Sequence, residues 1–340
     1  MAVEALDRRN PIASVIVCTR NRRDNPVATV EAVLNGSCAD LEILLVDQSD
    51  NDATREAIAP LQRQDDRLRY LRLGRAGKPN ALNAARREAG GRCLLLTDDD
   101  CEPAPDWAAA MTEALADPQT GCVFGGVTAA PHPSDEGYIT TYEVAGSCVV
   151  RLRDIYRMPG RNTSGMGACL GLQRAAIDRI GGWDPCIGPG SLFWGGDDHD
   201  IAMRLDLAGY AIGFSADARV THYGFRRWPE ERNDHMRCGY GRGAAWMKYL
   251  RLGILHREAA NLYRLQRQAT LDPARQKEEG PRAFVEYFRR GARAALWHPI
   301  DRRTRCFRPV SAAVSRKYGD VFANVVLRSQ QRSTEALRLD

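Results

Sequence analysis

The first 130 residues alternate between short apolar runs and longer segments that are apolar on one side only. Continuous apolar runs indicate strands that are buried on both faces of a sheet. Such strands are predicted at 12–19, 41–47, 92–98 and 121–129, with a more exposed, alternating strand at 67–73. Helices are predicted between them at 24–35, 52–64, 78–90 and 104–117. Strands and helices that alternate with short connections predict an α/β fold with a mostly parallel, Rossmann-like sheet flanked by helices.

The pattern becomes less regular after residue 130. Helices are predicted near 136–148 and over 172–184 and 197–210, and a strand is predicted over 211–223. From about residue 229 onward helical patterns dominate. The sequence therefore predicts two parts, an α/β domain over 1–225 and a helical C-terminal extension over 226–340.

Composition narrows the class of protein. The chain has 340 residues, of which 44% are hydrophobic, so it can bury a large core. No apolar run approaches the roughly 20 residues that cross a bilayer, and the polar start MAVEALDRRN does not resemble a signal peptide. We therefore expect a cytoplasmic protein. The ten cysteines form no C-x-x-C pair, so we expect most of them to be buried thiols in a reducing compartment and not zinc ligands.

The formal net charge of +5 hides an uneven distribution. Residues 1–222 hold 23 Lys and Arg against 31 Asp and Glu, whereas residues 223–340 hold 25 against 12, giving balances of −8 and +13. The basic part indicates solvated helices, or a surface that faces anionic lipid headgroups or a polyanionic acceptor. No nucleic-acid module is recognisable, so nucleic acid is not an expected partner. The segment 239–253 mixes basic and apolar residues as an interfacial helix does, although packing against the α/β domain is favoured.

Acidic residues end two of the predicted strands. Asp98, Asp99 and Asp100 form one run, and Asp47 ends the second strand. Ligands of open parallel sheets bind at the carboxyl ends of the strands. In extended backbone Asp98 and Asp100 point to the same side while Asp99 points away and contributes less. Oxygen ligands with this spacing suit Mg²⁺ or Mn²⁺ bound together with a diphosphate. The alternative is an exposed acidic loop that caps the next helix.

Asp47 and Lys78 are candidates for nucleotide binding. A carboxylate at the end of a strand can accept hydrogen bonds from a nucleobase or a ribose hydroxyl. The alternative is a helix cap, which Asp50 or Asp52 could equally provide. Lys78 lies at a predicted helix N-terminus, where a cation and free backbone N–H groups can hold phosphate. No G-x-G-x-x-G motif follows the first strand and no P-loop is present, which disfavours a dinucleotide-binding enzyme.

Asp197 and Asp198 open a predicted helix directly after two glycines. An ionised carboxylate there can remove a proton from an acceptor hydroxyl, and the alternative is an ordinary acidic first turn. The preceding Phe193 and Trp194 either stack on a sugar or belong to the core. His222 ends a predicted strand, where it is either a metal ligand or a structural histidine.

Seven segments, in this order and spacing, resemble the successive blocks of the family 2 glycosyltransferases. They are VIVCTRNR (15–22), LLVDQSDND (44–52), GKPNALNAA (77–85), LLLTDDDCEP (94–103), GLQRAAIDRIGGWD (171–184), GGDDHDIAMRL (195–205) and VTHYG (220–224). The resemblance covers roughly residues 12–225. It implies a GT-A fold, a nucleoside-diphosphate sugar as donor, a glycan or lipid-linked acceptor, and inversion at the anomeric carbon.

The resemblance also implies roles for individual residues. The donor-binding residues would be Thr19, Arg20, Asp47, Lys78 and Asp98. The ligands of a Mg²⁺ or Mn²⁺ ion would be Asp98, Asp100 and His222. The catalytic residues would be Asp198 and Asp197. Among these, Thr19 and Asp47 would contact the nucleoside, and Lys78 would lie near the diphosphate. Asp198 matches the catalytic base of an acid pair in which Glu is more usual at the position of Asp197.

Two other functions fit parts of the pattern. A sugar-phosphate nucleotidyltransferase would share the sheet and the metal, but it should carry a glycine-rich basic loop after the first strand, and VIVCTRNRRD has no glycine. A non-catalytic glycan-binding or nucleotide-sugar-binding relative should have lost catalytic carboxylates, whereas Asp98, Asp100 and Asp198 are present. The sequence thus favours a metal-dependent hexosyltransferase, with a peripheral contact at the inner face of an anionic membrane as a further expectation.

Overall fold

The computed structural model describes residues 10–74, 76–151, 165–254 and 279–309. Its strands are β1 (Ala13–Thr19), β2 (Leu41–Asp47), β3 (Leu68–Arg72), β4 (Cys93–Asp98), β5 (Cys101–Pro103), β6 (Thr120–Ala129), β7 (Gly137–Ile139), β8 (Cys148–Val150), β9 (Leu170–Gln173), β10 (Ala211–His222), β11 (Phe225–Arg227), β12 (Ile300–Asp301) and β13 (Cys306–Phe307). Its helices are α1 (Asn25–Leu34), α2 (Ala53–Gln64), α3 (Lys78–Glu88), α4 (Trp107–Ala114), α5 (Arg174–Arg179), α6 (Asp197–Leu207), α7 (Trp228–Arg251) and α8 (Glu279–Ala295).

Nine of these strands form one sheet, in the order β3-β2-β1-β4-β9-β6-β10-β5 with β8 beside β10. The first four strands in this order are parallel to one another, and β6 is parallel to β10. β9 runs antiparallel to both of its neighbours, and β5 and β8 run antiparallel to β10. The predicted α/β fold with a mostly parallel sheet flanked by helices is confirmed.

Both faces of the sheet are covered, which explains the continuous apolar runs. Successive side chains of a strand point to opposite faces. In β1, Val15 and Val17 therefore pack in a cluster with α1 and α4, whereas Ile16 packs in a second cluster with α3 and α6. All three side chains are at most 1% exposed. Six of the seven residues of β1 are buried, because the strand has no face toward water.

The helix predicted over 172–184 is wrong in its first part. Residues Leu170–Gln173 form β9, which inserts between β4 and β6, and the helix α5 covers only Arg174–Arg179. Leu170 and Leu172 are at most 1% exposed in the middle of the sheet. A strand of four residues next to a helical pattern is too short to be recognised as a separate element.

The helix predicted near 136–148 is also wrong. This segment contains β7 and the beginning of β8, joined by an irregular connection in which Tyr142 forms an isolated bridge with Val127. β7 pairs antiparallel with β11, and the two backbones approach so closely that a Cβ on Gly137 would lie 2.1 Å from the carbonyl oxygen of Arg226. The position therefore accepts only glycine, a residue that weakens a helix by about 1 kcal/mol relative to alanine.

The predicted helical extension begins with α7 and α8, which pack against each other. A Cβ on Gly243 would lie 2.0 Å from the carbonyl oxygen of Phe288, so the two helices touch backbone to backbone. Residues of both helices belong to the hydrophobic cluster that also contains Phe124 of the sheet. The boundary at residue 225 stays a prediction, and the parts of the extension at 255–278 and 310–340 lie outside the described residues.

The segment 239–253 packs inward in the described structure. Lys248 and Tyr249 are fully buried, and Ala244 and Ala245 belong to the core. Of the two interpretations of this segment, packing against the α/β domain agrees with these contacts. None of the described helices is both long enough and apolar enough to cross a membrane. Six of the ten cysteines are buried, in line with their expected role as core residues.

Candidate active site

The carboxyl ends of three neighbouring parallel strands bring three of the predicted site residues together. Thr19 of β1 lies opposite Asp47 of β2, and Cys18 of β1 lies opposite Asp98 of β4. Parallel strands in register end at the same edge of a sheet, which is where open α/β sheets bind ligands. Because β2, β1 and β4 are neighbours in the sheet, three motifs that are distant in the sequence form one row of polar groups.

The carboxylate of Asp47 is fully buried and held by three donors. The backbone N–H of Ser49 donates to its Oδ1 at 2.7 Å, and the hydroxyl of Tyr70 donates to its Oδ2 at 2.7 Å. The guanidinium of Arg72 lies 3.2 Å from the same Oδ2. Burial and this hydrogen bond raise the pKa of Tyr70. Tyr70 and Arg72 were not predicted as site residues, although the alternation along β3 places them on one face.

Lys78 forms an ion pair with Asp98 at the centre of the row. The lysine is the first residue of α3, and it follows Gly77, whose φ of 109° is in the left-handed region that favours glycine. Burial alone would lower the pKa of Lys78, but the nearby charges of Asp98, Asp197 and Asp198 outweigh it and raise the pKa. The ammonium group is therefore charged, and it stands between the strand-end acids and the acid pair of α6.

The expectation that Asp99 points away from the site is wrong. The hydroxyl of Thr19 donates a hydrogen bond of 2.6 Å to Oδ2 of Asp99, which turns this side chain toward the end of β1. Burial raises the pKa of Asp99 to about 6, against the opposing effect of that hydrogen bond. The backbone leaves the extended conformation in the turn between β4 and β5, so the alternation assumed for a strand ends at Asp98.

Asp100 and His222 face each other across the pairing of β5 with β10. Oδ1 of Asp100 lies 3.4 Å from Nε2 of His222, whose Nδ1–H donates to the carbonyl oxygen of Thr140 at 2.9 Å. Burial would raise the pKa of Asp100, but the hydrogen bond and charge of His222 and the charge of Arg22 lower it. An ionised carboxylate and an imidazole nitrogen are thus held close together at the edge of the sheet.

Potential ligand atoms of Asp100, Cys101 and His222 lie within 4.8 Å of one another. Cys101 was not predicted, although it follows the acidic run directly. Burial raises the pKa of its thiol, and a neutral thiol is a poor ligand for a hard cation. Asp98, predicted as a metal ligand, does not belong to this group within the described residues and pairs with Lys78 instead.

Asp197 and Asp198 begin α6 behind two glycines in left-handed conformation. Gly195 and Gly196 have φ values of 88° and 86°, and a Cβ on either would lie 3.2 Å from the backbone of α7. The backbone N–H of Gly167 donates to Asp198, which favours its charged form, but burial dominates and raises its pKa. Burial, followed by the charge of Asp198, also raises the pKa of Asp197.

The two aromatic residues before these glycines have different environments. Phe193 is 1% exposed and its ring lies 4.9 Å from that of Phe307, so it is a core residue. Trp194 is half-buried, with the guanidinium of Arg237 4.7 Å above its ring. Arg20, predicted to bind the donor, is exposed and lies 3.2 Å from Asp50.

A buried ion network supports the helix that carries the acid pair. The ammonium group of Lys248, in α7, contacts the carboxylates of Asp184 and Asp200. Asp200 also pairs with Arg204 at 2.9 Å and accepts a hydrogen bond of 2.7 Å from the hydroxyl of Tyr249. The network ties α6 to α7 just beneath the candidate base. No local sequence pattern indicates this network, because Lys248 is separated from both acids by more than 40 residues.

Comparison with known proteins places this fold and these motifs in a family. Residues 14–180 match the family model described as Glycosyl transferase family 2. The chain is 25% identical over 285 residues to the probable N-acetylgalactosaminyltransferase 9 of Caenorhabditis elegans, covering 73% of this chain and 47% of that protein. It is 34% identical over 94 residues to the GalNAc(5)-diNAcBac-PP-undecaprenol beta-1,3-glucosyltransferase of Campylobacter jejuni, covering 27% and 30% of the two chains. The chain thus spans about half or less of the length of these curated relatives.

A solved structure shares the fold over most of its length. The mannosyltransferase PcManGT from Pyrobaculum calidifontis, in complex with GDP-Man and Mn²⁺, aligns with a TM-score of 0.58 and 21% sequence identity. The alignment covers 84% of this chain and 87% of that one. The expected GT-A architecture and the resemblance stated from the sequence are both confirmed.

Proposed function

Because the chain belongs to glycosyl transferase family 2, we propose that it moves a sugar from a nucleoside-diphosphate sugar to an acceptor hydroxyl, with inversion at the anomeric carbon. The observation that carries the proposal is the position of Lys78. Its ammonium group pairs with Asp98 at the strand ends and also acts electrostatically on Asp197 and Asp198. A cation that lies between a donor site and a candidate base suits a reaction in which a diphosphate leaves while a hydroxyl is deprotonated.

Donor binding is proposed for the row at the ends of β1, β2 and β4. The nucleoside would lie against Thr19 and Asp47, with Arg20 at the exposed rim and the ribose near Asp98. Since Asp47 already accepts hydrogen bonds from Ser49 and Tyr70, it would act by fixing Tyr70 and Arg72 as much as by direct contact. The diphosphate would lie near Lys78, the first residue of α3, where the positive end of the helix dipole and the ammonium group favour an anion.

Asp100 and His222 would hold a divalent cation. The contact between Nδ1 of His222 and the carbonyl of Thr140 directs Nε2 toward Asp100, and a carboxylate with an imidazole is a ligand set that Mn²⁺ and Mg²⁺ sites with open positions accept. When bound, the ion supplies Lewis-acid neutralisation of the charge that grows on the leaving diphosphate. The Mn²⁺ in the complex of the Pyrobaculum mannosyltransferase supports this proposal.

Asp198 is the proposed base. The N–H of Gly167 stabilises its ionised form, whereas burial beside Asp198 keeps a proton on Asp197. The acceptor oxygen attacks the anomeric carbon from the face opposite the diphosphate, and its proton passes to Asp198. The new carbon–oxygen bond forms as the bond to the diphosphate oxygen breaks, and the nucleoside diphosphate leaves with that electron pair beside Lys78. One displacement from the back inverts the configuration.

The acceptor is proposed to be a glycan or a lipid-linked glycan, and the transferred sugar a hexose. Two relatives support this class, since their names state transfer of N-acetylgalactosamine and of glucose, the latter to an undecaprenol-linked glycan. Screening of nucleotide sugars and glycan acceptors can identify the donor and the acceptor directly.

The test is a screen of nucleoside-diphosphate sugars with Mn²⁺ or Mg²⁺, read out as release of nucleoside diphosphate. We expect one or a few donors to turn over, and turnover to rise when a suitable glycan acceptor is added. A nucleotidyltransferase would instead form a nucleotide sugar from a nucleoside triphosphate and a sugar phosphate, with release of pyrophosphate. A binding relative would shift in melting temperature with a donor but release nothing. Either of these two results would refute the proposal.

A further inference from the structure

An exposed apolar tip follows the last described helix. Leu296 and Trp297 come directly after α8, and they are 39% and 79% exposed. Among the described residues only five large apolar side chains are exposed, and these two are the only adjacent pair. Trp297 leaves about four fifths of its surface in water, although tryptophan is highly buried on average, and with Leu296 it forms an exposed apolar pair that indicates a binding role.

The backbone of this tip is firmly held. The N–H of Leu296 donates to the carbonyl of Arg293, and the N–H of His298 donates to that of Ala295, both at 3.2 Å. The guanidinium of Arg251, at the end of α7, donates to the carbonyl oxygens of Ala295 and His298 on either side of the tip. Trp297 therefore protrudes from a turn that is held by hydrogen bonds, and it does not belong to a frayed helix end.

Three exposed arginines lie close to the tip along the backbone. The guanidinium of Arg251 contacts the carbonyls that flank the tip, the backbone carbonyl of Arg293 accepts from Leu296, and the backbone N–H of Arg308 donates to the carbonyl of Pro299 at 2.8 Å. All three side chains belong to exposed residues. Over residues 283–309 the charges are seven arginines against two acids, Glu286 and Asp301. The tip is thus an exposed apolar pair within a strongly basic stretch of the chain.

We propose that Leu296 and Trp297, together with Arg251, Arg293 and Arg308, dock the protein on an anionic phospholipid bilayer. Indole side chains favour the boundary between headgroups and acyl chains, because one end is apolar and the other polar. Arginines next to them attract anionic headgroups over about one Debye length. The apolar residues that contact lipid are then Leu296 and Trp297. From the segment 239–253 the proposal takes only the exposed Arg251, since Lys248 and Tyr249 are buried.

Co-sedimentation with vesicles tests the proposal. The full chain should bind vesicles of phosphatidylglycerol and phosphatidylcholine at low salt, and should bind pure phosphatidylcholine at least about tenfold more weakly. Trp297→Ser and Arg293→Glu should each weaken the binding about fivefold or more. Val149→Ser and Arg63→Glu are matched controls, since they change an exposed apolar and an exposed helical basic residue elsewhere, and they should bind as the unchanged protein does.

Three results would overturn the proposal. They are no binding of the full chain to anionic vesicles, equal binding to neutral vesicles, and undiminished binding by Trp297→Ser. Because Trp297 is so exposed, its replacement should leave the melting temperature unchanged, and Trp297→Phe provides a milder variant. Brominated acyl chains should quench tryptophan fluorescence of the unchanged protein and not that of Trp297→Phe. If sedimentation velocity shows a dimer that Trp297→Ser dissociates, the tip is an interface between copies of the chain and not a lipid contact.

Discussion

Nε2 of His222 lies 3.4 Å from Oδ1 of Asp100, although the two residues are 122 positions apart in the chain. The contact exists because β5, only three residues long, turns back after the acidic run and pairs with the end of β10, so that Cys101 lies opposite His222. The carboxylate and the imidazole are therefore fixed by a sheet pairing and not by flexible loops. A ligand pair on such elements needs little rearrangement to bind an ion.

Replacing Asp100 or His222 should weaken metal-dependent donor binding. We expect Asp100→Asn and His222→Gln each to raise the Mn²⁺ concentration needed for donor binding about tenfold or more, because each removes one strong ligand. Isothermal titration calorimetry with donor at fixed Mn²⁺ concentrations measures this directly. Asp99→Asn is the matched control, since it changes the neighbouring acid that bonds to Thr19. An equal loss in Asp99→Asn would contradict the assignment of Asp100.

Asp198→Asn should abolish transfer while donor binding persists. Removal of a general base costs about 10² to 10⁴ in rate, so kcat should fall by that factor with little change in the donor dissociation constant. Asp197→Asn should retain most of the activity, because an amide replaces a carboxyl that burial and Asp198 keep protonated. Steady-state kinetics of the two variants side by side decide between the acids. If Asp197→Asn lost kcat while Asp198→Asn stayed active, Asp197 and not Asp198 would be the base.

Asp197 should also make stability depend on pH. Its pKa is raised above the ordinary 3.8 by burial and by Asp198, so above pH 3.8 the folded protein holds a proton that the unfolded chain releases. Stability must then fall as pH rises through the interval between 3.8 and the raised pKa. Asp197→Asn cannot ionise, so its melting temperature should exceed that of the unchanged protein by a margin that grows from pH 5 to pH 8. The exposed Asp66→Asn serves as control, and a constant margin for Asp197→Asn would disprove the raised pKa.

The part of the site that could be predicted from the sequence is the part that depends on strands. Asp47 and Asp98 end buried apolar runs, and parallel strands in register bring such ends together, so their neighbourhood follows from pattern alone. His222 could be placed at a strand end by the same argument. Its contact with Asp100 could not, because it depends on β5, which contains only Cys101–Pro103 and gives no periodic signal of its own.

Other features depend on contacts that local patterns do not encode. Asp99 was expected to point away because strand alternation was extended beyond Asp98 into a turn, where the hydroxyl of Thr19 bonds to Asp99. The strand β9 escaped prediction because its neighbours in the sheet, and not its own length, make it a strand. Lys248, the shared partner of Asp184 and Asp200, lies in α7. From its composition this helix was predicted only to be part of a basic extension.

Lys248→Met should destabilise the protein strongly. It leaves the carboxylates of Asp184 and Asp200 buried without their shared cation, and loss of one partner of a buried ion pair costs about 3–5 kcal/mol. Methionine preserves most of the volume, so the change reports on charge and not on a cavity. Arg55→Met is the control, because Arg55 and Asp52 form an ion pair of 3.1 Å with both side chains more than half exposed, and such pairs contribute about 0–1 kcal/mol. Urea unfolding of both variants measures the difference. If both variants lost similar amounts of unfolding free energy, the buried network would not be what holds α6 on α7, because loss of a buried cation should cost more than loss of an exposed one.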